Sequence, residues 1–246
     1  MIMYPNIYYE KKLWNRGFKF IAGVDEVGRG CFAGPVVAAA VVFVKNSIFQ
    51  LPILTKTNEK IFINDSKKLT EKRREASEKW IKENAVTWGT GEASVAEINR
   101  LGMGKATKTT FRRAVANANI RLHKKIEYLL VDAFYIPYIS GFPKGNNKGI
   151  KGSKKPNIND SKSKQLAIIN GDEKSISIAA ASIVAKVYRD NLMIKIGKRN
   201  QYKIYDWPQN KGYASKTHRQ AILKHGITKH HRKQFVDTFL RKKNLT

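Results

Sequence analysis

Phe18-Lys19-Phe20-Ile21-Ala22-Gly23-Val24-Asp25-Glu26-Val27-Gly28-Arg29-Gly30 begins with apolar residues alternating at Phe18, Phe20, Ala22 and Val24 and runs directly into two adjacent carboxylates. The alternation predicts a strand, and the glycines predict its end. Pro35 to Val44 is a β-branched and alanine run too apolar to leave a wet face, as expected of a neighbouring central strand. Carboxylates attract metal ions and a glycine-flanked arginine attracts phosphate, so Gly23 to Phe32 holds both halves of a phosphodiester-cutting site. Consecutive strand residues point to opposite faces, so Asp25 and Glu26 share a site only if the strand ends or twists there, for which Gly28 and Gly30 provide.

Working outward, Asn64-Asp65-Ser66-Lys67-Lys68 reads as a polar turn, after which Thr70 caps a charged helix with Glu71 in its first turn and Trp80 and Ile81 facing inward. Ala85 to Ala93 suggests a third strand. Ser94 caps the next turn, and Met103, Ala106, Thr107, Thr110, Phe111, Ala114, Val115 and Ala118 recur at helical spacing as a core stripe. Ile126 to Val131 is a short apolar strand delivering Asp132, and Leu166 to Ile169 delivers Asn170-Gly171-Asp172 in the same way; Ser175 to about Asn200 reads as a long helix. Strands alternating with helices predict an α/β layer fold, with carboxylates at strand C-terminal ends where such folds place their sites. Residues 1–196 are expected to form the main domain and residues 197–246 a small helical extension that faces nucleic acid. The glycine- and lysine-rich stretch Gly141 to Gln165, with the single acid Asp160, is expected to be a flexible basic loop.

The 246 residues, 42% of them apolar, suffice to bury one sizeable core. No run approaches the roughly 18 apolar residues of a membrane span, the N-terminus lacks the apolar centre of a signal peptide, and Cys31 is the sole cysteine. A cytoplasmic address without disulfides or cysteine-held zinc follows. Forty-seven Lys and Arg against nineteen Asp and Glu give a formal charge of +28, whose natural counter-ion is a polyanion, and binding to nucleic acid should fall steeply with salt. That charge suits a non-catalytic basic nucleic-acid-binding protein equally well, so the case for an enzyme rests on the acids.

Asp25, Glu26, Asp132 and Asp172 stand out in a chain poor in carboxylates, three of them at the ends of apolar segments. One aspartate at a strand end is commonly a turn or helix cap, but four together need cations to stay ionised. Oxygen-only ligation favours Mg²⁺ or Mn²⁺, and two such ions about 3.5 to 4 Å apart could activate a water and stabilise a leaving 3′ oxygen. Asp190 competes for the fourth place, but about four turns into a helix it reads as a salt-bridge partner. Lys67 suits either a phosphate contact or a solvated turn. Ser182 and Lys186 read as packing or supporting groups. His218, His225, His230 and His231 lie among cations, which favours phosphate contact or simple exposure. Trp207 and Tyr213 suit a nucleic-acid surface, with Trp207 equally able to anchor the extension.

These blocks resemble those of bacterial ribonuclease HII: Gly-Val-Asp-Glu-Val-Gly-Arg-Gly, Asn64 to Leu69, Leu130-Val131-Asp132, Gly171-Asp172, Ala180 to Val187, and Lys211-Gly212-Tyr213, in order over nearly the whole chain. The resemblance implies a ribonuclease H-like fold, a central mixed sheet flanked by helices. It implies an endonuclease that cuts RNA in RNA–DNA hybrids and cuts 5′ of single ribonucleotides embedded in duplex DNA, leaving 3′-hydroxyl and 5′-phosphate ends, as in ribonucleotide excision repair. Asp25 would sit between two metals with Glu26, Asp132 and Asp172 completing the ligands; Gly28, Arg29 and Gly30 would read the 2′-hydroxyl; Tyr213 would stack on the sugar at the junction. A monomer is expected. The sister type, ribonuclease HIII, carries an N-terminal substrate-binding domain, for which the about twenty residues before the first strand are too few. Two stretches depart from the usual pattern, the long basic loop and Ala133 to Pro137.

Overall fold

The computed structural model describes residues 4–45, 52–55, 60–139, 142 and 164–243. Most of the basic stretch expected to be flexible, residues 141–165, lies outside them. In the five-stranded sheet, β1 (Ile21–Val27) lies between β2 (Val36–Phe43) and β6 (Tyr128–Asp132); β5 (Thr87–Ala93) flanks β2 and β7 (Gln165–Ile168) flanks β6. β2 is antiparallel to β1 and β5, whereas β1, β6 and β7 run parallel, so the sheet is mixed, as expected. A separate two-stranded ribbon joins β3 (Ile53–Leu54) to β4 (Lys60–Ile61).

Every residue of β2 is buried, because helices cover both faces of the sheet. One face carries Ala22, Val24, Ala38, Ala40 and Val42 and packs on Phe111, Ala114, Val115 and Ala118 of α4 (Met103–Leu122), the stripe visible in the sequence. The other carries Val37, Ala39 and Val41 against the alanine-rich α5 (Ile176–Gly197), beside which lies α2 (Glu71–Asn84). The expected caps at Thr70 and Ser94 are present: Thr70 accepts from the Arg73 N–H, and Ser94 and Glu97 form a capping box on α3 (Val95–Leu101); Ser175, accepting from the Ile178 N–H, is a further one.

The sequence reading gave no helix before β1, yet α1 (Tyr8–Asn15) packs Leu13 and Trp14 against Ile21, Tyr128 and Leu166. Its Glu10 is buried at the N-terminus of α5, where one carboxylate oxygen accepts from the Ser177 N–H (3.0 Å), the Ser177 hydroxyl (2.6 Å) and the Ser175 hydroxyl. After α5 come α6 (Trp207–Asn210), α7 (Lys216–His225) and α8 (Lys233–Lys243). They share an apolar cluster with Ala33, Met193, Ile196, Tyr202 and Tyr205 through Trp207, Ala221, Ile222 and Val236.

Gly23 sets the distance between β1 and α5. A Cβ there would stand 2.0 Å from the Ser177 carbonyl carbon and 2.2 Å from the Ile178 nitrogen, both backbone atoms that cannot swing aside. Gly23→Ala is therefore expected to cost about 1–3 kcal/mol of stability by overpacking, read as a lower urea midpoint. Gly104→Ala, in α4 with open space around the added methyl, is expected to leave the midpoint unchanged or raise it slightly.

Candidate active site

Cross-strand register settles which way the adjacent acids point. Asp25 pairs with Ala39 and Glu26 with Ala38, so Asp25 leaves the sheet toward α5 and Glu26 toward α4. The two carboxylates occupy opposite faces at one strand end and meet through Asp132, whose charge bears on both. Asp132 closes β6, and its Oδ1 accepts the Gly171 N–H at 2.7 Å, which ties it to the 3₁₀ turn Gly171–Glu173 that carries Asp172.

Burial pushes the Asp25 carboxyl well above the usual range, reinforced by the charges of Glu26 and Asp132 and, after the opposing Ser182 hydroxyl, of Asp172. Glu26 is pushed up to about 7, by burial, with Arg29 opposing and Asp132 adding. Asp172 rises to about 6 through burial and the neighbouring Asp65 and Asp132. Asp65, quoted in the sequence only as part of a turn, is a fifth carboxylate of this group and is buried like Asp25 and Asp172. The Lys67 ammonium stands 3.9 Å from both Asp65 and Asp172, bridging the two. The signal for Asp65 was its place in a motif block; nothing local distinguished it from a turn aspartate.

The donors fit a hard divalent cation in kind and in charge. They are oxygens only, they repel one another, and Glu26 Oε2 is buried with no hydrogen-bond partner among the described residues. Among the described residues no three His, Cys, Asp or Glu side chains are already closed into a metal-holding group, so grasping an ion takes side-chain rotation.

A cleft of about 250 Å³ opens beside the acids, lined by Glu26 to Gly30, Ser66, Lys67, Ser182, Lys186 and Tyr213. Gly28 adopts φ +90°, a conformation that favours glycine. The Arg29 guanidinium lies 3.4 Å from Glu26 Oε1 and 4.5 Å from the Phe134 ring centre. Lys186 Nζ and Arg189 Cζ stand 5.6 and 5.8 Å from the Tyr213 ring centre, and burial, with Cys31 adjacent, pushes the Tyr213 hydroxyl up to about 12. Asp190 pairs with Lys186 at 2.9 Å, the salt bridge expected of it.

A family profile described as Ribonuclease HII matches residues 22–238. The chain belongs to the ribonuclease HII family. It is 42% identical over 234 residues to a ribonuclease HII of Caldanaerobacter subterraneus subsp. tengcongensis, covering 95% of this chain and 81% of that one. Among solved structures, the ribonuclease H2 of Pyrococcus horikoshii matches with a TM-score of 0.60 at 22% identity, covering 87% of this chain and 93% of that one. Bst ribonuclease HIII, solved in complex with Mn²⁺, matches with a TM-score of 0.59 at 16% identity over 88% of this chain and 64% of that one. The ribonuclease H-like fold is thereby shown, and the protein is a divalent-metal-dependent endoribonuclease of the class that cleaves the RNA of RNA–DNA hybrids.

Of the histidines expected to contact phosphate or lie exposed, His225 is exposed, whereas His218 and His231 are buried and hydrogen-bond one another. The Thr228 N–H donates to His231 Nδ1 (2.8 Å), which leaves the His231 proton on Nε2 to donate to His218 Nε2 (3.1 Å); His218 Nδ1 then donates to the Tyr213 carbonyl (2.8 Å). Burial, with the neighbouring histidines adding, pushes His231 down to about 3, so the chain stays neutral. Trp207 is fully buried and donates to His218 Nε2 at 3.1 Å, which makes it an anchor and not a base-stacking surface. Ser182 and Lys186, read as supporting groups, border the cleft itself.

Raised carboxyl pKa values mean that the metal-free fold gains stability from protonation, fully present below about 4.5 and lost as pH climbs through about 7 for Glu26. A divalent ion competes with those protons. The rise in thermal transition on adding Mg²⁺ or Mn²⁺ is therefore expected to be small near about pH 5 and larger near about pH 8. A rise that shrinks with pH would contradict the cluster as the metal's seat.

Proposed function

We propose that this ribonuclease HII hydrolyses the RNA strand of RNA–DNA hybrids and cuts 5′ of single ribonucleotides in duplex DNA, leaving 3′-hydroxyl and 5′-phosphate ends. The observation that carries this reading is the gathering of Asp25, Glu26, Asp132 and Asp172 into one electrostatically linked group beside a cleft bordered by Gly28, Arg29, Gly30, Lys67 and Tyr213. In this reading Asp25, Glu26, Asp132 and Asp172 would hold two Mg²⁺ or Mn²⁺ ions, which would supply Lewis acidity at the scissile phosphate and lower the pKa of water there.

The protein's own groups do the positioning. The Gly28–Gly30 turn offers backbone groups and little steric bulk to a 2′-hydroxyl. Tyr213, about two-fifths exposed, presents a ring for the sugar at the RNA–DNA junction. Lys67, tethered to Asp65 and Asp172, places an ammonium where a phosphate enters. The excess positive charge holds the duplex largely without regard to sequence. A cytoplasmic monomer acting in ribonucleotide excision repair accords with this role. So does the division into a main domain of residues 1–196 and a substrate-binding extension of residues 197–246. Composition alone suits a non-catalytic binder equally, but such a protein has no need of four clustered acids.

A duplex with one ribonucleotide, incubated with Mg²⁺ or Mn²⁺, is expected to be cut once, on the 5′ side of that residue. Asp25→Asn is expected to abolish the cut while hybrid affinity stays within about twofold, because phosphate contacts dominate binding. Undiminished turnover would sink the assignment. Tyr213→Ala is expected to slow cutting at the isolated ribonucleotide about tenfold or more, the loss of one stacking contact worth about 1–3 kcal/mol. A change only in affinity for all-DNA duplex would overturn the junction role.

A further inference from the structure

Arg189 on α5 and Arg232 just before α8 are among the largest fully buried side chains of the protein, each with no exposed surface. Among the described residues neither forms an ion pair with a carboxylate. Their donors go instead to backbone carbonyls. Arg189 donates Nε to Pro35 (3.0 Å), Nη2 to Ala33 (3.0 Å) and Nη1 to Lys211 (2.9 Å). Arg232 donates Nε to Gly34 (2.9 Å), Nη2 to Pro35 (3.0 Å) and Nη1 to Arg29 (2.9 Å). Burial lowers Arg232 to about 10, opposed by Cys31 and furthered by Arg189, so it remains charged near neutrality.

Two buried cations with no acid beside them are a costly way to support a loop, and apolar packing would serve stability better. What the forks supply is direction. A planar guanidinium holds several carbonyls in one fixed plane, whereas the three donors of a lysine ammonium rotate at the end of a flexible stem. The carbonyls they fix span the segment that begins at Gly28-Arg29-Gly30 and the peptide two residues before Tyr213. A Cβ on Gly28 would stand 2.2 Å from Arg189 Nε, so the turn rests directly on that guanidinium. Amides complete the lock, with Phe32 and Ala33 donating to the Gly212 carbonyl and Gly34 to the His230 carbonyl.

We propose that Arg189 and Arg232 are positioning residues that preset the Gly28–Gly30 turn and Tyr213 as one rigid unit before substrate arrives. The proposal rests on the reading that this turn and Tyr213 face the ribonucleotide. Phosphate contacts elsewhere hold the duplex, so losing the preset geometry lowers the rate of cutting more than the affinity.

The test uses full-length Arg189→Lys and Arg232→Lys beside the wild type, on the single-ribonucleotide duplex and well below each thermal transition. Wild-type protein that fails to cut would sink the functional reading itself, separately from this proposal. Given wild-type cutting, kcat of each folded variant is expected to fall about tenfold or more, with KM and Mn²⁺ affinity within about twofold, as for a misplacement of about 1 Å. Wild-type kcat in the folded variants would overturn the proposal, as would kcat and Mn²⁺ affinity falling together. Amide hydrogen exchange on the free wild-type protein gives a readout that needs no variant. Phe32, Ala33 and Gly34 are expected to be protected as strongly as β1; fast exchange that slows only on adding hybrid would overturn it.

Discussion

Acidic side chains collected at one end of a sheet and shielded from water repel one another, and the surrounding architecture answers to that repulsion. Asp25 sits beneath α5 because Gly23 lets the helix backbone lie on β1, and the same closeness brings the Ser182 hydroxyl to its carboxylate. Asp132 is steadied by the Gly171 N–H, and Lys67 spans Asp65 and Asp172. In the reading proposed above a divalent ion would offset the remaining excess of negative charge, and the metal dependence of the family would here be a property of burial pattern as much as of residue types.

The alternation of side chains along β1 explains how two neighbouring acids come to lie near one third carboxylate. β1 carries Asp25 toward α5 and Glu26 toward α4, and Asp132 on the adjacent parallel strand is felt by both. Glu26 is then held between Arg29 and its own burial, while Arg29 lies over Phe134. Ala133 to Pro137, a stretch with little pattern in the sequence, thus supplies the aromatic surface against which the arginine between the two glycines rests.

The sheet was legible because its signals are local. The all-apolar β2, the α4 stripe and the strand that delivers Asp132 declare themselves by periodicity, and the caps at Thr70 and Ser94 by residue type. What could not be read depends on partners far away in the chain. Helix α1 is held by Leu13 and Trp14 packing on Ile21, Tyr128 and Leu166, with Glu10 meeting Ser175 and Ser177, and short charged helices carry little periodic signal of their own. His218 and His231 read as phosphate-facing or exposed because their neighbours in sequence are lysines and arginines; burial keeps each neutral, and the two hydrogen-bond one another from thirteen positions apart. Asp65 looked like a turn residue because the charges that define it, Lys67 excepted, come from other elements.

The hydrogen bond from Arg232 to the Arg29 carbonyl joins positions 203 apart. Contacts of such separation form slowly, since a long stretch of chain must be gathered before any of them repays its entropy. During synthesis the carboxylates and the glycine turn leave the ribosome long before the arginine that fastens the turn. In the reading proposed above, the residues that would hold metal are therefore all made before the second of the two arginines that would preset the turn.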